Sequence, residues 1–164
     1  ISNYLLSNSI KMPRQIWWKI RPHMEFGTIE FRICDVQRSL KNVEMITAIS
    51  QALVFQASKD FDNNILSESF NMEYLNDGLW KAARFPLDAN MIDPETNTVS
   101  TIKDQIKKMK FYIKDAITYF GNQNINNYID LIINDGTEGD KQINVYNKLG
   151  FDGLKQYLME SVEY

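Results

Sequence analysis

Glu30 and Arg32 stand two residues apart in the run Thr28-Ile29-Glu30-Phe31-Arg32-Ile33-Cys34, and they are the pair best suited to chemistry in this chain. A carboxylate is a ligand for a hard, oxygen-seeking divalent cation, and a planar guanidinium binds phosphate oxygens bidentately. The run before it places Lys19, Arg21 and His23 at every second position. A lone Glu among cations is a poor general acid or base, because neighbouring positive charge favours its ionised form. The chemistry this pattern suits is therefore the holding of a metal ion against phosphate. The same spacing also describes a solvated sheet face with cross-strand ion pairs, which commonly stabilise sheets.

The elements that must position these residues follow from a period of two. Ile29, Phe31 and Ile33 alternate with Thr28, Glu30, Arg32 and Cys34, which predicts a strand with one apolar face. Trp18, Ile20 and Pro22 alternate with Trp17, Lys19, Arg21 and His23, which predicts a second strand, with Met24 to Gly27 left as a tight connection. A turn centred between Glu25 and Phe26 sets Arg21 opposite Glu30, Lys19 opposite Arg32 and His23 opposite Thr28. It sets Ile20 opposite Phe31, Trp18 opposite Ile33 and Pro22 opposite Ile29. A slip of one residue would send the charged set to the apolar face, so the pattern selects this register. The expectation is that Trp18, Ile20, Ile29, Phe31 and Ile33 are buried and that Arg21, Glu30 and Arg32 lie on the more open face.

The run RPHMEFGTIEFRICD resembles the signature of the carboxylate-amine ligases related to glutamate-cysteine ligase, the second family of that activity. That pattern runs Trp-Asp-x-Arg-Pro-His, a short turn, then Thr-x-Glu-x-Arg-x-Cys-Asp, and Arg21, Pro22, His23, Thr28, Glu30, Arg32, Cys34 and Asp35 match it. Lys19 stands where the family often has Asp. The Glu-x-Arg pair also resembles glutamine synthetase, with which the family shares its fold and its acyl-phosphate chemistry. Downstream, Trp80, Ala82, Arg84, Phe85 and Leu87 match a second family segment, with Pro86 in place of the usual Gly. Ile92, Asp93 and Pro94 match a third. Gly136, Gly139, Lys141 and Gln142 resemble a glycine-containing loop, a weak phosphate-loop signal by itself.

The resemblance implies an ATP- and Mg²⁺-dependent ligase in which Glu30 ligates the metal and Arg32 holds the transferred phosphoryl group. Arg21 would serve phosphate or a substrate carboxylate, and His23 would support the strand turn or contact ligand. Arg84 would contact substrate or phosphate, or would be a cation favoured by the dipole at a helix C-terminus. Small amino acids or other carboxylates and amines are the implied substrates. Family members are more than twice this length, so the chain reads as a C-terminal fragment whose partner is the missing N-terminal part of the same protein.

The remaining residues predict helices that support the hairpin. Ser39 can cap a helix through KNVEMITAISQALVFQASKDF, with Val43, Ile46, Ile49 and Leu53 as its stripe and Met45, Ala48, Ala52 and Phe55 widening it; this helix is expected to back the hairpin. Residues 60–69 read as a loop, and FNMEYLNDGLWKAARF as a helix that Asn76, Asp77 and Gly78 could break. MIDPETNTVS reads as a turn on Asp93-Pro94. Ser100 and Thr101 open a helix with Ile102, Ile106, Met109, Ile113, Ile117 and Phe120 in its stripe and Gly121 as its stop. A helix around NNYIDLIIND ends at Gly136, and two more run through INVYNKLG and DGLKQYLMESV, the latter with Leu154, Tyr157, Leu158 and Val162 at helical spacing.

With 164 residues and 44% hydrophobic content, the chain suffices for one domain, residues 1–164, with a core of its own. The expected class is α+β, a short antiparallel sheet packed on several helices, as the C-terminal part of a glutamine-synthetase-like fold. A net charge of -3 and a pI near 5.2 argue against a general nucleic-acid partner. Lys103, Lys107, Lys110 and Lys114 read as a solvated helix face. No run approaches the length of a membrane helix, and a single cysteine fits a reducing, cytoplasmic setting. The oligomeric state is open, a homo-oligomer included. The alternative function is a non-enzymatic helical interaction or regulatory module that keeps the hairpin as scaffold.

Overall fold

The computed structural model describes residues 1–66 and 70–160. They form two compact units, residues 1–36 and 37–164 by chain position. The first carries a short helix α1 (Ser2–Leu6), a 3-10 turn (Pro13–Gln15) and the hairpin of β1 (Ile20–His23) and β2 (Thr28–Phe31). The second carries α2 (Leu40–Asp62), α3 (Met72–Arg84), β3 (Asn90–Ile92), β4 (Val99–Thr101), α4 (Ile102–Tyr112), α5 (Lys114–Tyr119), α6 (Ile125–Asp135) and α7 (Glu138–Met159). The class is α+β, as expected, with two short antiparallel sheets. Residues 67–69 of the expected loop, and Val162, lie outside the described residues.

Helix packing, rather than a sheet, makes the core of the larger unit. Met45, Ala48 and Ala52 of α2 pack with Ile113, Ala116 and Ile117 at the start of α5 and with Ile125, Ile129 and Ile133 of α6. The α2 positions that appeared only to widen its stripe are thus the centre of its buried face, while Val43 is 43% exposed. The small side chains of Ala48 and Ala52 let the neighbouring helices come close, a preference that periodicity of apolar residues alone does not reveal. Asp60, also buried on α2, accepts hydrogen bonds from Gln56 Nε2 at 2.8 Å and from the Tyr112 hydroxyl at 2.5 Å. Burial first, and then the bond and charge of Asp60, push the Tyr112 phenol up to about 12.

A second sheet replaces the simple turn expected near residue 93. Strands β3 and β4 pair antiparallel, with Met91 opposite Ser100, and pack on α3 and α4. The Asp93-Pro94 turn joins them: the Asp93 carboxylate accepts from the backbone N–H groups of Glu95 at 2.8 Å and Thr96 at 3.3 Å. It also accepts from Gln105 Nε2 at 2.9 Å and Lys108 Nζ at 2.8 Å, both on α4. With three residues per strand, this hairpin leaves too short an alternation to detect in sequence. Helix α3 runs through Asn76-Asp77-Gly78 without a break, and Gly78 is buried there. A Cβ at Gly78 would sit 2.6 Å from Met91 Cε, so the glycine leaves room for the end of the Met91 side chain.

The helix expected from Thr101 to Gly121 is split at Ile113, a fully buried residue, into α4 and α5. Thr101 caps α4 by accepting from the Asp104 N–H, and α6 stops at Gly136 as expected. The last helix reverses on itself. The Tyr157 hydroxyl donates to Glu138 at 3.1 Å, although 19 residues of straight helix would separate them by about 28 Å. The reversal is made at Gly150, whose φ of 67° favours glycine, so the two helical runs expected in this region are both present.

Candidate active-site hairpin

Strands β1 and β2 pair in the register the apolar pattern selects: Ile20 with Phe31, Arg21 with Glu30, Pro22 with Ile29 and His23 with Thr28. The Arg32 N–H donates to the Lys19 carbonyl at 2.8 Å, which carries the pairing one step past the strands. Gly27 closes the connection with a φ of 62°, a conformation in which any side chain would be strained. Glu30 therefore lies on the same face as Arg21, Lys19, Arg32 and His23, and Phe31 on the other.

The expected burial of the apolar face is not found: of its five residues only Phe31 is half-buried. Trp18, Ile20, Ile29 and Ile33 are 45–50% exposed, whereas the side chains of Arg21 and Arg32 are only 17% and 25% exposed. Two causes are visible within this unit. The Pro13–Gln15 turn brings the carbonyls of Arg14 and Ile16 onto Arg21, and the Trp17 ring lies 5.1 Å from the Arg32 guanidinium carbon. Arg21 and Arg32 are thus the covered side chains of a polar face on which Glu30 stays 45% exposed, and a 36-residue unit has no second apolar layer of its own to cover the other face.

The structure separates the roles of the two arginines. Arg21 has an acceptor at each of its three nitrogens: Nε and Nη2 both reach Glu30 Oε2, at 2.8 and 2.5 Å, and Nη1 donates to the Arg14 carbonyl at 2.6 Å and the Ile16 carbonyl at 3.3 Å. Arg32 does not. Its Nε lies 3.6 Å from Glu30 Oε1, an ion-pair distance too long for a hydrogen bond, and its Nη1 is buried with no hydrogen-bond partner. A buried donor without an acceptor is costly, and an arriving oxyanion would satisfy it. Arg21 therefore fixes Glu30, and Arg32 keeps donors in reserve.

His23 stacks on Phe26 with ring centroids 4.5 Å apart, and its buried Nδ1 has no partner. This arrangement suits the support of the strand turn. Arg84, the last residue of α3, lies in the larger unit with its guanidinium carbon 5.5 Å from the Phe85 ring, at the helix C-terminus where the dipole favours a cation. Trp17, beside Arg32 in the structure, shares the alternating face of Lys19 and Arg21 in the sequence, and that alternation is the signal that points to it. Glu30 is 45% exposed and offers carboxylate oxygens suited to one position of a hard cation. Among the described residues no group of three or more His, Cys, Asp or Glu could hold a metal ion.

A profile of the glutamate-cysteine ligase family 2 (GCS2) matches residues 6–156. A protein of Solibacter usitatus, carrying the provisional name glutamate-cysteine ligase 2, is 30% identical over 159 residues, covering 96% of this chain and 41% of the relative. One from Herpetosiphon aurantiacus, provisionally named in the same way, is 28% identical over 167 residues, covering 99% of this chain and 43% of the relative. A third, from Gloeobacter violaceus, is 38% identical over 96 residues, 58% of this chain and 26% of its own length. The chain thus spans well under half the length of these relatives. No helix among the described residues is long and apolar enough to cross a membrane.

Proposed function

The chain belongs to the glutamate-cysteine ligase family 2, and from that premise we propose that it is the C-terminal part of an ATP-dependent carboxylate-amine ligase. The observation that carries this reading is the pair Glu30 and Arg32 on one hairpin face, with Arg21 locking the carboxylate and the Arg32 Nη1 left without an acceptor. In the proposed reaction ATP phosphorylates a substrate carboxylate, ADP departs, and an amine displaces the phosphate to form an amide. Glutamate and cysteine are the pair suggested by the names of the relatives.

Each residue on the hairpin has a part in this reading. Arg32 donates to the oxygens of the transferred phosphoryl group, where fixed donors stabilise charge without reorganising. Glu30 would supply one oxygen ligand to Mg²⁺, which when bound would neutralise phosphate charge. Arg21 orients Glu30 through Nε and Nη2. His23 supports the turn at the mouth of the hairpin, and Arg84 is a second candidate for phosphate or substrate contact. The other metal ligands belong to an N-terminal part, and the half-exposed apolar face of the hairpin fits the same assignment, since it needs a second layer. One exposed cysteine, Cys34, suits a reducing cytoplasm.

The experiment is a comparison of the 164-residue chain with the whole protein. Given ATP, Mg²⁺, glutamate and cysteine, the chain alone is expected to release no ADP above a Glu30→Ala control, because one carboxylate cannot complete a metal site. The whole protein is expected to release ADP in step with amide formation. ADP release by the chain alone, abolished by Glu30→Ala, would show that the site needs no N-terminal part. Absence of amide formation by the whole protein with any amine tested would reject the ligase reading.

A further inference from the structure

A cleft between the ends of α2, α6 and α7 holds charges that the hairpin chemistry does not use. It encloses about 400 Å³, within the range of small-molecule sites. Its walls are tied by a satisfied network. Arg38 lies 3.9 Å over the Tyr157 ring and 3.4 Å from Glu138, and Glu138 also accepts from the Tyr157 hydroxyl and from Gln142. This network brings together residues a hundred positions apart and holds the folded-back end of α7 against the cleft. It does not involve the exposed charges at the rim of the cleft.

Three of these, Lys41, Lys141 and Asp135, line the same space and have no ion-pair partner among the described residues. Two of them, Lys41 and Asp135, also sit at the electrostatically unfavourable ends of their helices. Lys41 is in the first turn of α2, which has no acidic residue there and no side-chain cap, whereas Lys141 follows a capped first turn of α7 that carries Glu138 and Asp140. Asp135 is the last residue of α6, where the carbonyl ends already carry partial negative charge. A cation in a first turn and an anion at a C-terminus cost folding stability locally, and such departures mark positions held for another purpose. Tyr128 and Leu131 add apolar surface, with Leu131 54% exposed.

We propose that this cleft binds a small zwitterion of the α-amino-acid class with an apolar side chain, its carboxylate on Lys41 and Lys141, its ammonium on Asp135 and its side chain against Tyr128 and Leu131. A simple anion would meet the unpaired Asp135, and a simple cation would meet two unpaired lysines. Only a ligand with both charges satisfies all three groups. The proposal is independent of the ligase reading, because it concerns binding to this unit and requires no turnover.

The test is titration of the 164-residue chain with L-leucine, followed by NMR chemical-shift changes. Two analogues accompany it: 4-methylpentanoate, which lacks the ammonium group, and 3-methylbutylamine, which lacks the carboxylate. Saturable binding of leucine is expected, with each analogue about 10-fold weaker, the scale of one lost charge-assisted hydrogen bond. Lys41→Ala and Lys141→Ala should each weaken leucine by roughly 5-fold. Asp135→Asn should weaken leucine and strengthen 4-methylpentanoate, since it removes the negative charge that the simple anion meets. All three residues are exposed, so the variants should keep the fold, which circular dichroism checks. Absence of saturable leucine binding, equal affinity for the acid and leucine, or leucine affinity unchanged in the three variants would each overturn the proposal.

Discussion

Glu30→Gln in the whole enzyme is expected to raise the Mg²⁺ concentration needed for activity and to lower the rate severely, whereas Arg32→Lys should leave the metal requirement nearly unchanged. Under the proposed roles the two residues hold opposite charges of one assembly. Gln keeps the size and hydrogen bonding of Glu30 but removes the charge that a hard cation needs. It also releases Arg21, whose Nε and Nη2 both converge on Glu30 Oε2. Lys at position 32 keeps the positive charge but loses the planar fork and with it the Nη1 donor that has no partner in the structure. Turnover should fall by ~100-fold, the scale of one lost transition-state donor. Steady-state rates measured against Mg²⁺ and against ATP separate the two cases. Near-native turnover and metal dependence in both variants would reduce the hairpin face to a solvated sheet with ion pairs.

The second large effect falls on stability. Asp93→Ala is expected to cost about 3 kcal/mol, because a buried acceptor of four hydrogen bonds is removed at once. Lys108 keeps Glu95 at 2.6 Å and Gln105 keeps Ser100 at 2.8 Å, so the main loss is the pair of backbone N–H groups in the turn. The pH dependence has a definite sign. Burial alone would raise the Asp93 carboxyl, but the donors from Lys108, Gln105, Glu95 and Thr96 outweigh it and hold the group well below the usual carboxylate range. A carboxyl held low in the folded state contributes stability above its unfolded value near 3.8, and that contribution is lost as the pH falls below it. Urea unfolding of the native chain and of Asp93→Ala should therefore differ most near neutral pH and draw together toward pH 2. A difference that stays constant over that range would mean that the carboxylate charge contributes nothing to holding the turn.

Sequence alone determined what depends on local period and backbone preference. The hairpin register followed from alternation, since only one pairing puts Glu30 and Arg21 together and Ile20 with Phe31. The C-terminal stop of α6 at Gly136 followed from the freedom of glycine at positive φ, and the position of Thr101 at the start of α4 from its hydroxyl. The family signature was legible for the same reason, because its residues lie within one hairpin. Tertiary structure decided what depends on residues far apart. It set the Pro13–Gln15 turn on Arg21 and Trp17 beside Arg32 and left Ile20 and Ile29 half-exposed, since burial is set by what packs on a face and not by the face itself. It centred the buried side of α2 on Ala48 and Ala52, where small side chains admit α5 and α6. Folding the chain back at Gly150 brought Tyr157 onto Glu138 and Arg38, a meeting of three distant residues that no local pattern encodes.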